Sequence, residues 1–194
     1  MTNKDICETA LSFVGKLKYK FGGDNIVNGY GDCSDFTQYV YNCYGIDIGG
    51  TTNAQYTHGY PSLASDQIIA GDLVFFKNTY KSNYTDGVSH VGIALGDNKF
   101  VHLSNSGCKV SDLGSGYYAD HYLGARRVTG VANEITSMDV SIADTAEKKT
   151  TDVITMPTGV SDILRLVVVT LLLVAGAGIF AASVGVNLKG VSKL

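Results

Sequence analysis

The stretch Gly31-Asp32-Cys33-Ser34-Asp35-Phe36 places a cysteine where a loop gives way to a predicted helix. Apolar side chains then recur with the spacing of one helix face, at Phe36, Val40, Cys43 and Tyr44. Gly45 is expected to end this helix, and Asp32 is the expected N-cap. The Cys33 sulfur would then lie beside unpaired N–H groups and the positive end of the helix dipole, which favour a nucleophilic thiolate. Cys33 is therefore either a nucleophile or a buried structural cysteine.

Two histidines further along the chain favour the first interpretation. The runs 89–95 and 99–104 are typical of two strands of a hairpin, separated by Gly96-Asp97-Asn98. With these three residues as the loop, position 92 faces 102 and position 90 faces 104. His90 and His102 then share one sheet face as diagonal neighbours, whereas a slip of one residue would separate them. Together with the cysteine they would supply a nucleophile, a general base and a group that orients the base.

The composition excludes several other classes of protein. With 45% hydrophobic and 17% charged residues, the 194-residue chain suits one folded domain plus an appendage. A net charge of −3 gives no basic surface, so nucleic acid is not an expected partner. No CxxC or HxxxH spacing occurs, so we predict no metal site and no cofactor. The four cysteines are widely spaced, and we expect thiols at Cys7, Cys33, Cys43 and Cys108.

The distribution of aromatic residues predicts a domain boundary near residue 130. All 12 tyrosines lie at or before Tyr122, and no aromatic residue recurs until Phe180. Residues 131–160 are rich in Thr, Ser, Val and Asp, as is typical of a linker. We therefore predict three parts, a catalytic domain, a linker and a hydrophobic segment, at 1–130, 131–162 and 163–188.

The hydrophobic segment 163–188 is predicted to be a single C-terminal transmembrane-type helix that contacts a membrane. Within it, Leu166–Val186 forms 21 residues without a charge, long enough as a helix to cross the roughly 30 Å hydrocarbon layer. The alternative is a helix buried in a larger assembly, because its glycines also suit close helix packing.

Seven short stretches occur in a fixed order within residues 3–128: Tyr19-Lys20-Phe21-Gly22-Gly23, Asp32-Cys33-Ser34, Gln55, Gly71-Asp72-Leu73-Val74-Phe75-Phe76, Ser89-His90-Val91-Gly92-Ile93, Phe100-Val101-His102 and Gly124-Ala125-Arg126-Arg127-Val128. In this order and with these gaps they resemble the NlpC/p-sixty family of bacterial cell-wall cysteine peptidases, whose fold is papain-like. The resemblance implies an α+β fold in which N-terminal helices pack on an antiparallel sheet.

The same resemblance implies the reaction. Cys33 would be the nucleophile, His90 the general base and His102 the residue that orients the base. Members of the family generally cut the amide between D-glutamate and the third residue of the peptidoglycan stem, which is diaminopimelate or lysine. Bacterial peptidoglycan is therefore the expected substrate.

Residues matching Tyr19, Asp32 and Ser34 line the family's substrate site, where Asp32 would suit a free amine of the stem peptide. Asp35 departs from the family pattern, which usually has glycine at this position. We expect Asp35 at the substrate site too, where its carboxylate would oppose thiolate formation and crowd the cleft.

Three other functions are compatible with parts of this sequence. An N-acetylmuramoyl-L-alanine amidase would use the same residues. A lipid acyltransferase of the lecithin–retinol type is disfavoured, because those enzymes have histidine before cysteine, whereas here the order is Cys33, His90, His102. A non-catalytic wall-binding or structural module is the third, and Asp35 is its main support.

The expected location follows from the two ends of the sequence. Residues 1–6 lack the apolar core of a secretory signal peptide, although a wall hydrolase must reach the cell exterior. Two locations fit: a virion, with phage tail proteins as partners, or a membrane-anchored position facing the bacterial cell wall. We favour the phage tail.

Overall fold

The computed structural model describes residues 1–79 and 87–140. The helices and strands within these ranges are α1 (Asn3–Leu11), β1 (Lys18–Tyr19), β2 (Asp24–Asn25), β3 (Tyr30–Gly31), α2 (Cys33–Asn42), α3 (Thr52–Thr57), β4 (Ser62–Leu63), β5 (Leu73–Lys77), β6 (Val88–Gly96), β7 (Lys99–Ser104), β8 (Gly107–Asp112), α4 (Gly116–Asp120) and β9 (Tyr122–Arg126). None of the helices in these ranges is long and apolar enough to span a membrane. The predicted helix at 163–188 lies outside the described residues.

The main sheet is antiparallel, and within the described ranges its strand order is β4-β9-β5-β6-β7-β8. Helices α1, α2 and α3 pack against β6, and side chains from these helices and from one sheet face form the larger core. The other face carries a smaller cluster with Phe76 and Phe100, against which Tyr118 of α4 packs. Helices packed on an antiparallel sheet confirm the predicted α+β class.

Helix α2 begins at Cys33 because Asp32 caps it, as predicted. One carboxylate oxygen of Asp32 accepts hydrogen bonds from the backbone N–H groups of Ser34, at 2.9 Å, and Asp35, at 3.1 Å. In return the Asp35 carboxylate accepts a hydrogen bond from the Asp32 N–H at 2.8 Å. This reciprocal pair is a capping box, which fixes the first turn of the helix.

The end of α2 differs from the predicted pattern. The helix ends at Asn42, so Cys43, which the pattern places on the apolar face, is exposed. Tyr41 is buried instead, and its hydroxyl donates a hydrogen bond to the Gly71 carbonyl. The aromatic ring of Tyr41 therefore anchors the last turn to the loop that leads into β5.

The β6–β7 hairpin has the predicted register but a different turn. Ile93 pairs with Val101 and Ala94 with Phe100, so His90 and His102 share one face as diagonal neighbours. The connection is a two-residue turn at Asp97-Asn98, with φ of 48° and 54°, rather than the expected three-residue loop. A bulge between Ala94 and Gly96 absorbs the difference of one residue.

Gly92 provides a test of this hairpin, because no side chain fits there. A Cβ at Gly92 would lie 2.6 Å from the Phe100 ring and 3.1 Å from the Cβ of His102. We expect Gly92→Ala to lower the free energy of unfolding by about 1–3 kcal/mol, measured by urea denaturation. Gly87→Ala is the matched control, since no atom of the described residues lies within 4 Å of its added Cβ. Equal stability of the two variants would contradict the packing argument.

Residues 131–140 lie against the domain through the buried side chain of Asn3. Its amide nitrogen donates to the carbonyls of Ala70, at 2.9 Å, and Ile135, at 2.6 Å. Its amide oxygen accepts from the N–H groups of Glu134, at 2.8 Å, and Ile135, at 3.1 Å. The first residues of the predicted linker are thus held by the start of α1. The division into three parts stays a prediction, because residues beyond 140 lie outside the described ranges.

Candidate active site

Cys33 is the first residue of α2 and is 2% exposed. Its sulfur lies 3.7 Å from the hydroxyl oxygen of Thr52, the first residue of α3. All four cysteines lie in the described part of the chain and are thiols, as predicted. The helix start therefore presents a thiol next to a hydroxyl that can donate to a thiolate.

His90 and His102 are buried and joined by a hydrogen bond. His90 Nε2 lies 2.9 Å from His102 Nδ1, and His102 Nε2 lies 2.9 Å from the hydroxyl oxygen of Ser111. The two hydrogen bonds can run in either direction. In one arrangement His90 Nε2–H donates to His102 Nδ1 and His102 Nε2–H donates to the Ser111 hydroxyl, which leaves His90 Nδ1 without a proton. This direction also accommodates a doubly protonated His90, so the same hydrogen bonds serve the base before and after it takes a proton.

Burial keeps both imidazoles neutral. It lowers the pKa of His90 to about 4, helped by the positive charge of Lys109 and opposed by the negative charge of Asp32. Burial, the charge of His90 and that of Lys109 also hold the pKa of His102 well below its usual range. A neutral His90 is the form that can accept a thiol proton, and a neutral His102 can accept the hydrogen bond from His90.

The ring of Tyr118 packs against both histidines. It stacks on His90, with centroids 6.0 Å apart, and meets His102 edge-on at 4.9 Å. Burial raises the pKa of Tyr118 to about 12, and the charge of Cys33 contributes to the rise. Asp32 also acts electrostatically on His90, and α2 packs against β6 and β7, so the start of α2 lies near the histidine pair.

Of the predicted substrate residues, Tyr19 lies in the cavity beside His90, and Asp32 and Ser34 lie at the start of α2. Tyr19 lines the cavity that His90 also lines, and it pairs with Gly31, just before the helix start. Asp32 is engaged by protein groups, because its carboxylate also accepts from the Ser34 hydroxyl at 2.8 Å and from the Gly22 N–H at 3.2 Å. Ser34 is buried.

Asp35 turns its carboxylate towards the cap of α2. It lines a separate cavity with Asp24, Gln38 and Tyr39, whereas the described lining of the cavity beside His90 does not include it. Burial, together with the charges of Asp32 and Asp24, raises the pKa of Asp35 to about 6 despite the hydrogen bond from the Asp32 N–H.

Sequence reasoning missed Thr52, Ser111 and Tyr118. Ser111 could have been found by extending the hairpin argument, because His102 pairs with Lys109 on β8 and Ser111 is then the diagonal neighbour of His102. Thr52 and Tyr118 lie on short helices, and no local pattern in the sequence points to their role. Among the described residues, no group of three or more His, Cys, Asp or Glu side chains could hold a metal ion.

The buried histidines make stability dependent on pH. The folded-state pKa of His90, about 4, lies below its ordinary 6.5, so the unfolded chain binds more protons between these values. We expect the contribution of His90 to stability, roughly 3 kcal/mol, to be present above pH 6.5 and lost as the pH falls to 4. Urea denaturation at pH 7 and pH 4.5 would measure the loss.

His90→Gln is the control for this measurement. Asp35 acts in the opposite direction, because its raised pKa favours the folded state as the pH falls, so only the difference between wild type and variant isolates His90. We expect the variant to lose less stability than wild type between the two pH values. The same loss in both proteins would contradict a buried, neutral His90.

A thiol at a helix start, together with a hydrogen-bonded histidine pair, is typical of the class of cysteine peptidases, in which an imidazole activates a thiol. Residues 15–127 match the sequence profile described as the NlpC/P60 family, and the chain belongs to this family. The match confirms the resemblance on which the sequence analysis rests.

Curated relatives and solved structures are similar over the same region. The chain is 42% identical over 118 residues to the probable peptidoglycan endopeptidase LytE of Bacillus subtilis, covering 61% of this chain and 32% of LytE. It is 36% identical over 124 residues to the bifunctional muramidase/DL-endopeptidase CwlT of the same organism, covering 63% and 36%. The crystal structure of an NLP/P60 family protein "similar to lipoprotein" from Staphylococcus aureus superposes with a TM-score of 0.57 at 34% identity, covering 68% and 42%.

Proposed function

We propose that this chain is a peptidoglycan hydrolase that cleaves the stem peptide between D-glutamate and the third residue, diaminopimelate or lysine. The observation that carries the proposal is the buried His90–His102–Ser111 chain of hydrogen bonds, in which Asp32 at the start of α2 acts electrostatically on His90. Membership of the NlpC/P60 family supports it, as do relatives named as a peptidoglycan endopeptidase and a DL-endopeptidase. The matched region spans about a third of each relative's length, 32% and 36%.

The proposed reaction begins with proton transfer from the Cys33 thiol to His90 Nδ1 as the sulfur attacks the amide carbonyl carbon. The imidazolium then gives this proton to the leaving amine, and the C–N bond breaks to give a thioester. His90 next takes a proton from water, which attacks the thioester. The C–S bond breaks, the imidazolium of His90 returns its proton to the Cys33 sulfur, and the D-glutamyl carboxylic acid leaves and releases its proton to solvent. The hydrogen bond to His102 holds the imidazole ring in place throughout these steps.

The oxyanion of the tetrahedral intermediate needs a hydrogen-bond donor near the sulfur. Backbone N–H groups at the start of α2 are the candidates for this purpose. Those of Ser34 and Asp35 already donate to the Asp32 carboxylate. The proposed donor from the helix start is therefore the N–H of Cys33.

Mass spectrometry of purified peptidoglycan digested with the full chain tests the proposal. Glycan that keeps an L-Ala-D-Glu stub, produced by wild type and not by Cys33→Ala, is the expected result. Release of whole stems from bare glycan would establish an N-acetylmuramoyl-L-alanine amidase instead. Wall types with diaminopimelate and with lysine should both be digested, since either third residue fits the proposal. No cysteine-dependent product from either type would favour a non-catalytic binding module.

We also propose that the chain acts from a phage tail, or alternatively from a membrane facing the cell wall, with residues 163–188 as the contact. The proposal rests on the uncharged run within this segment. Proteomic analysis of purified virions and of membranes from uninfected cells tests it. Detection in virions supports the tail location, and detection only in membranes supports the anchored one.

A further inference from the structure

The cavity beside His90 contains a cation that the proposed reaction does not use. Its described lining is polar and aromatic, and includes Tyr19, His90, Ser104, Lys109, Tyr117 and Tyr118. Because burial keeps His90 neutral, Lys109 is the one charged side chain among the described residues that line this cavity.

The sheet register places Lys109 next to the catalytic pair. Lys109 on β8 pairs directly with His102 on β7, so the two side chains project from the same sheet face. The charge of Lys109 lowers the pKa of both His90 and His102, as expected of an ammonium group close to both rings. Lys109 therefore lies beside the histidine pair, although it also lines a second cavity with Lys99 and Asp112.

The described residues do not provide Lys109 with a carboxylate partner. The ion pairs found among residues 1–79 and 87–140 join other side chains, Lys4 with Glu8, Lys99 with Asp112 and Arg127 with Asp72. A partly buried lysine that lines the same cavity as the proposed general base gains most from an anion that a bound substrate brings.

We infer that Lys109 binds a carboxylate of the substrate adjacent to the scissile amide, and that the enzyme therefore prefers a free carboxylate to a carboxamide there. The inference rests on the proposed function. Two carboxylates of the stem have the required chemistry: the α-carboxylate of the D-glutamyl residue and a carboxylate of the third residue. A carboxamide at the same place leaves the ammonium without a counter-ion, so it binds more weakly.

Kinetics on three synthetic peptides test the inference. The peptides are L-Ala-γ-D-Glu-L-Lys, its analogue with a D-isoglutamine carboxamide, and its analogue with a C-terminal lysine carboxamide. We expect wild type to cleave one of the amidated peptides with a kcat/KM at least about tenfold lower than that of the parent peptide. The position of that amide identifies which carboxylate Lys109 binds.

Lys109→Met is the decisive variant, and Lys16→Met, on an exposed lysine, is its matched control. We expect Lys109→Met to raise KM for the parent peptide about tenfold. For the amidated peptide that wild type cleaves slowly, the kcat/KM of Lys109→Met should equal that of wild type within about twofold. Thermal melting of each variant checks that the fold is kept. Lys16→Met should retain the preference of wild type.

Two results would overturn the inference and leave the proposed function standing. One is equal cleavage of all three peptides by wild type, and the other is a preference that survives in Lys109→Met. Cleavage of none of the peptides by wild type, with no product from peptidoglycan, would contradict the proposed function, and the inference would fall with it.

Discussion

Cys33→Ala is expected to abolish hydrolysis of peptidoglycan, with a fall in kcat of about 10⁴-fold or more, while the domain stays folded. The sulfur forms the covalent bond to the acyl group in the proposed reaction, and alanine offers no nucleophile in its place. The substitution removes a single sulfur atom at the first position of α2, and the capping box formed by Asp32 and Asp35 does not depend on it. The variant should therefore lose activity without losing its fold.

Cys43→Ala is the matched control for this variant, because Cys43 is an exposed thiol just beyond the same helix. Product release would be followed by chromatography and mass spectrometry, and folding by circular dichroism. We expect wild-type rates from Cys43→Ala. Cysteine-independent product formation by Cys33→Ala above about 1% of the wild-type rate would rule out Cys33 as the nucleophile.

The parts of the site that sequence reasoning predicted depend on short-range rules. The start of α2 was predictable because the Asp32 side chain caps backbone N–H groups only two and three residues further along the chain. His90 and His102 meet because a strand alternates its side chains with period two, so the register alone decides their faces. The turn length was wrong, yet a bulge restored the register, since the buried side of each strand tolerates no slip.

The parts that it missed depend on contacts between distant segments. Tyr118 reaches the histidines from a short helix that follows β8, and Asn3 holds residues 134 and 135 from the other end of the domain. No periodicity in the local sequence records either contact. Asp35 is a different case, because its N3 position relative to Asp32 is a local signal of a capping box. Its charge, by contrast, gives no indication of this structural use.

The position of Asp35 at the cap of α2 also affects the protonation of its carboxyl group. Its carboxylate accepts the Asp32 N–H, and burial raises its pKa to about 6. Near neutral pH the group is therefore closer to its neutral form than an exposed aspartate would be. At pH 7 a group with this pKa is still roughly 90% ionised, so Asp35 remains a charge that a thiolate would have to tolerate.

His90→Gln is expected to lower kcat/KM by about 10³-fold, the second largest effect in this site. Glutamine can still donate a hydrogen bond to His102 Nδ1, but it can neither take the thiol proton nor deliver one to the leaving amine. Deprotonation of Cys33 must then come from solvent. We therefore expect the residual rate of the variant to rise tenfold per pH unit through neutral pH. The wild-type rate should be nearly constant in that range, because His90, whose pKa is about 4, is already neutral there.

The dependence on pH distinguishes loss of the base from loss of the fold. A variant that was merely misfolded would lose activity without gaining a steeper pH profile, and His58→Gln, outside the predicted site, should match wild type in both respects. His102→Gln should lose less activity than His90→Gln and keep the wild-type profile, because His102 orients the base without exchanging a proton with substrate. If His102→Gln showed the larger loss and the steeper profile, the roles of the two histidines would have to be exchanged.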